Sequence, residues 1–194
     1  MLVVTVSSEL VNELHGKLQK NVRGKFSVTQ VRSGIIPKIR KNALSKIINL
    51  FKKRREIILV RADSSVIDGQ CYLAAFDAKT HEFMGVRPVV VCEKTHSLDG
   101  PVVPNEFRNR GVMSVLTAEA IKNASEAGSQ SISTMHLSNK TWAEHLVKYL
   151  GGVKYEYGEL SVFWSEKELQ TPNAKWRDFL LQEKKNSRKT IIKK

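Results

Sequence analysis

Val102-Val103-Pro104-Asn105-Glu106-Phe107-Arg108-Asn109-Arg110-Gly111-Val112-Met113-Ser114 runs from the end of a β-prone segment into the start of a helical one. Glycine at such a junction lets the backbone curl so that successive N–H groups converge on one point. The helix N-terminus adds partial positive charge there, and Arg108 and Arg110 add full charges. A diphosphate is the ligand that suits this combination. A glycine beside arginines at a loop-to-helix junction is also common where nothing binds, so the stretch needs support from its surroundings.

Downstream, helical periodicity covers Val112 to Ala127, with Gly128 in the position of a C-cap. Ser131 to Leu137 alternates as a strand, and Thr141 to Leu150 forms a short helix stopped by Gly151-Gly152. Val153–Tyr157 and Leu160–Trp164 flank Gly158-Glu159 as a closing hairpin. Upstream, Glu56–Ala62, Gln70–Phe76 and Val86–Cys92 read as strands, the first two joined across an Asp68-Gly69 turn signal. Lys94 to Gly100 reads as a polar loop. Ser7 or Ser8 caps a helix to about Lys20, after a first strand at Met1–Val6 and before a glycine-punctuated polar loop from Asn21 to Gly34. Ile36, Ile39, Ala43, Leu44, Ile47, Ile48 and Phe51 then recur at helical spacing, with lysines and arginines between them. This predicts one domain over residues 1–170 and a basic, flexible tail over 171–194, with one amphipathic turn around Trp176, Phe179 and Leu180.

Arg108-Asn109-Arg110-Gly111, preceded by Val102-Val103-Pro104, resembles the acetyl-coenzyme A signature of the GNAT superfamily of N-acetyltransferases: arginine or glutamine, two residues, glycine, one residue, glycine or alanine. Asn139, leading into Ala143-Glu144-His145-Leu146-Val147-Lys148-Tyr149-Leu150-Gly151, is similar to that family's second signature. The likeness covers about residues 98–165, and more loosely the N-terminal elements. It implies an α/β (α+β) fold with a mixed, mostly antiparallel sheet, splayed open near its centre and flanked by helices. It also implies acetyl-coenzyme A as cofactor, held by Val102, Val103, Arg108, Asn109, Arg110, Gly111, Val112, Met113, Ser114 and Asn139.

Three departures stand out. Asn105 is an extra residue between the proline and the arginine, and Met113 stands where the signature has a second small residue. Val147 stands where many family members have the tyrosine that protonates the leaving thiolate. Tyr149 is roughly 200° further around the helix and does not simply replace it. A thiolate leaves without a strong acid, so the reaction is weakened rather than forbidden. No catalytic base is evident. His96, Asp99, Glu106 and His136 lie on or beside the segments expected to face the acceptor, and each reads more readily as a surface or packing residue. His145, inside a helix, reads as structural.

The net charge of +13 is placed unevenly. Residues 17–55 carry thirteen lysines or arginines and no acid, residues 171–194 carry a net +6, and the rest of the chain is left at −6. Such a field attracts polyanions, above all nucleic acid. Lys38, Arg40, Lys41, Lys46, Lys52, Lys53, Arg54 and Arg55 are the expected contacts. In the family the first helices border the acceptor site, so the resemblance implies an amine on, or associated with, an anionic or nucleic-acid acceptor. The alternatives are a catalytically degenerate module that binds nucleic acid directly, or a nucleic-acid modifier of the same fold using another acyl donor. Cys71 and Cys92 lie in strand-like runs without metal-ligand spacing and are expected as buried free thiols in a reducing cytoplasm. There is no Walker lysine, paired His/Cys metal motif or nucleophile elbow, and no apolar run long enough to cross a membrane.

Overall fold

The computed structural model describes residues 7–36, 56–134, 137–157 and 159–187. The expected strand at Met1–Val6, the basic helix and its eight contact residues, and His136 lie outside them.

The chain starts with helix α1, Ser8–Gln19, where the Ser7 side chain accepts a hydrogen bond from the Leu10 N–H. Five strands follow: β1 Phe26–Ile35, β2 Glu56–Ser64, β3 Gln70–Asp77, β4 Phe83–Cys92 and β5 Thr95–Leu98. A 3-10 turn at Asn105–Phe107 leads to helix α2, Val112–Glu126, and strand β6, Ser131–Thr134. Helix α3, Lys140–Leu150, the hairpin β7 Val153–Tyr157 and β8 Glu159–Ser165, and helices α4 Glu166–Gln170 and α5 Lys175–Ser187 complete the described chain.

The strands form one sheet in the order β1-β2-β3-β4-β5-β6-β8-β7. Every pairing is antiparallel except β5 with β6, which α2 connects as a crossover. This is the mixed, mostly antiparallel sheet with flanking helices expected from the sequence. Central strands are covered on both faces, which is why Ile57 to Val60 is a continuous apolar run rather than an alternating one. Leu14 and Leu18 of α1 pack with Phe26, Val60, Tyr72 and Phe76 on one face. On the other, Leu59, Leu73, Val89 and Leu98 lie beneath Val115, Leu116 and Ile121 of α2, with Leu146 of α3 and Trp164 joining the same core.

Four expectations need correction. The polar stretch Asn21–Gly34 contains most of β1, an edge strand paired with β2, and edge strands carry polar side chains on the face they leave to water. Lys94–Gly100 contains β5, where the imidazole of His96 is buried and bonded to Ser129 rather than left in a loop. Cys71 is buried but Cys92, at the end of β4, is exposed. Residue 170 is not an edge of the packing, because α5 sets Trp176 and Phe179 into the main core. The Trp176 indole N–H also donates to the Glu168 carbonyl at 3.2 Å. A helix that buries two large aromatic rings is held by roughly 4 kcal/mol of apolar transfer free energy, which a mobile tail would forgo.

Candidate functional site

The β5–β6 pairing ends at Leu98 opposite Thr134. Beyond it the first strand stays beside β4: the Asp99 N–H donates to the Pro88 carbonyl at 3.1 Å, and Val102 and Val86 exchange backbone hydrogen bonds of 2.9 and 3.0 Å. Antiparallel pairing alternates the direction of backbone groups, so Val102 faces β4 and Val103 faces the side on which the pairing with β6 has ended. Among the described residues no further β5–β6 pairing follows Leu98 and Thr134, and this unpaired stretch is the split in the sheet. Gly85 of β4 makes the close approach possible, because a Cβ on it would lie 3.1 Å from the Val102 carbonyl oxygen and 3.3 Å from Val112 Cγ1.

The turn from Arg108 to Ser114 follows Val103, Pro104 and the 3-10 turn. Arg108 is extended and donates through Nε to the Val103 carbonyl at 3.2 Å. Asn109 and Gly111 both take left-handed backbone angles, with φ of 58° and 85°. Glycine adopts this conformation without penalty, and asparagine tolerates it. Gly111 is the N-cap of α2 and brings no side-chain oxygen to it, so the N–H groups of the first turn have neither an intrahelical partner nor a side-chain cap. Arg108 and Arg110 are exposed on either side, the Arg110 guanidinium 5.6 Å from the centre of the Phe107 ring. The uncapped amides and the positive end of α2 thus directly follow two exposed arginines in the chain.

Asn139 directly precedes α3, as the resemblance implies. Its side-chain oxygen accepts the Trp142 N–H at 3.1 Å as the N-cap of α3. Met113 does not crowd the turn. Its sulfur lies 3.2 Å from Arg87 Nη1, underneath the helix start.

The structure brings His145, which sequence reasoning set aside, to the first turn of α2. Its Nε2 is 2.9 Å from Ser114 Oγ, and its ring stacks on Trp142 at 5.0 Å and meets Tyr149 at 4.6 Å. These three rings lie on one flank of α3, since positions i, i+3 and i+7 share a flank. Val147 lies on another. It lines an open cavity of about 260 Å³ with Gly151, Gly152, Glu168 and Trp176, and its carbonyl receives Lys175 Nζ at 3.5 Å. Helical spacing around Trp142 was the available signal, but the helix's rotation on the sheet cannot be read from spacing.

Among the expected bases, His96 is buried at the closed end of the β5–β6 pair, its Nδ1 2.9 Å from Ser129 Oγ. Burial, and then the charge of Arg61, hold its pKa below that of an ordinary imidazole. Asp99 is exposed at the start of the split and accepts the Gly100 N–H at 2.6 Å. Glu106 is exposed in the 3-10 turn before Arg108. His96 is therefore buried within the β5–β6 pairing, while Asp99 directly follows its end and Glu106 lies in the turn before Arg108.

No family model matches the chain, and neither does any curated protein. Solved structures do match, and those named here are acetyltransferases. A variant of spermidine N-acetyltransferase from Vibrio cholerae is 10% identical, with 86% of this chain and 94% of that one covered and a TM-score of 0.47. An acetyltransferase of the GNAT family from Staphylococcus aureus is 14% identical, with 51% and 69% covered and a TM-score of 0.43. The ribosomal-protein-S18-alanine N-acetyltransferase from Escherichia coli is 14% identical, with 50% and 68% covered and a TM-score of 0.41. Among the described residues no helix is long and apolar enough to cross a membrane.

Proposed function

We propose that the chain is an acetyl-coenzyme A-dependent N-acetyltransferase of the GNAT type, acting on an amine carried by an anionic, nucleic-acid-associated molecule. The observation that carries this reading is the uncapped start of α2, opened by left-handed Asn109 and Gly111 at the mouth of a split sheet. The donor set fits the coenzyme's diphosphate: amides of Val112, Met113 and Ser114, with Arg108 and Arg110 at the rim. When bound, the coenzyme supplies an acetyl group activated as a thioester, with a thiolate as leaving group.

The chain's own residues then have distinct tasks. Val103, turned toward the open side of the split, offers a backbone N–H to a carbonyl oxygen. Asp99 and Glu106 border the split as acceptors for the amine's proton. His145, held by Ser114 and stacked on Trp142, sits at the diphosphate end of the site, so the thiolate leaves without its help. The acid-free run of residues 17–55 supports an anionic acceptor and disfavours a free polyamine, which it would repel.

The test is release of free thiol from acetyl-coenzyme A in the presence of an aminoacyl-tRNA, a protein lysine substrate or spermidine. Release with the tRNA-borne amine and none with spermidine is expected. Release only with spermidine overturns the acceptor assignment, and no release with any amine overturns the activity.

A further inference from the structure

Arg87 sits on β4, opposite Leu73 of β3, and is one of the largest fully buried side chains, with 1% of its surface exposed. Its guanidinium lies beneath the first turn of α2, where, among the described residues, Nη1 meets the Met113 sulfur, a weak acceptor. Among the described residues, Nε finds no hydrogen-bond partner. Burial lowers its pKa to about 10 while the charge of Asp99 acts in the opposite direction, so the group stays charged at neutral pH. A buried charge is ordinarily paired with a counter-charge. This one instead lies below the positive end of a helix whose first turn is flanked by Arg108 and Arg110, with exposed Asp99 as the facing anion. An anion placed on the turn would supply a further counter-charge to this buried guanidinium.

We propose that Arg87 is a further anion-recognition residue of this site, a buried positioning charge that acts through Met113 and the helix start to bind a diphosphate from below. The proposal rests on the reading that the turn holds a diphosphate. Arg87 does not touch the ligand in this account. It raises the potential at the turn from a place where water screens it little.

The experiment uses the full chain, with inorganic pyrophosphate and coenzyme A as probes, and records calorimetric affinity and the melting temperature. Arg87→Met keeps the volume and removes the charge. It is expected to melt at or above the unsubstituted protein's temperature while binding both probes about tenfold more weakly. Arg87→Lys should restore most of the affinity. Asp99→Asn, which removes the facing anion without touching the core, should tighten pyrophosphate binding by about threefold. If Arg87→Met lowers the melting temperature and leaves both affinities unchanged, Arg87 is a packing residue and the proposal is overturned. Should Arg87→Met fail to fold, unchanged affinity in Asp99→Asn overturns it instead. An unsubstituted protein that binds neither probe removes the diphosphate reading itself, and the proposal with it.

Discussion

Gly85→Ala tests how the split and the turn from Arg108 to Ser114 are held together. The added Cβ would lie 3.1 Å from the Val102 oxygen, 3.1 Å from Val103 Cγ2 and 3.3 Å from Val112 Cγ1, each inside ordinary van der Waals contact. The Val102 oxygen cannot retreat freely, because it accepts the Val86 N–H at 2.9 Å, and Val112 is the first residue of α2. Overpacking of this kind costs about 1–3 kcal/mol. The alanine recovers about 0.4–1 kcal/mol by restricting the unfolded chain. The net loss is therefore on the order of 1 kcal/mol, or about 2–4 °C in melting temperature for a protein of this size. Displacing Val103 and Val112 together should also cost acetyl-coenzyme A affinity, by about fivefold on the standing relation of free energy to affinity. Thermal denaturation and calorimetry read the two effects. A variant that melts higher than the unsubstituted protein and binds the coenzyme equally well would refute the close packing inferred at Gly85.

Three further outcomes are expected. Trp176→Ala should destabilise the whole domain by about 3–5 kcal/mol in urea unfolding, a loss that a loosely attached tail would not produce. His96 has a folded-state pKa below its unfolded value, so its contribution is present above pH 6.5 and declines as pH falls through that value toward the lower folded one. Stability of His96→Gln should accordingly fall less between pH 7 and pH 5 than that of the unsubstituted protein. Replacing Lys38, Arg40, Lys41 and Lys46 together by Gln should weaken tRNA binding about tenfold or more and flatten its salt dependence. Salt-independent binding would point away from phosphate contacts.

The features legible in the sequence are those fixed by local chemistry. Gly111 and the two arginines marked the turn, Gly128 and Gly151 marked helix ends, and the alternation of Leu160–Trp164 marked a strand that the structure contains. What the sequence concealed depends on neighbours distant along the chain. β1 and β5 look like polar loops because one is an edge and the other buries a histidine whose partner, Ser129, is 33 residues away. Arg87 interrupts an apolar strand without any local sign that it is buried beneath α2. Periodicity showed that α3 is a helix, but not that its Trp142–His145–Tyr149 flank, rather than Val147, would turn to Ser114. Trp176 gave the C-terminal segment an apolar residue, yet its place in the core depends on where Glu168 and the hairpin come to rest.

The central claim is that the turn from Arg108 to Ser114 holds the diphosphate of acetyl-coenzyme A. Calorimetric titration of acetyl-coenzyme A into the unsubstituted protein and Gly111→Asp, with circular dichroism to establish that both are folded, tests it most directly. Aspartate there places a side chain and a negative charge against the uncapped amides of α2, and forces a less suitable residue into the left-handed backbone. Saturable binding is expected in the unsubstituted protein and none in a folded Gly111→Asp. Equal affinity in the two proteins would contradict it.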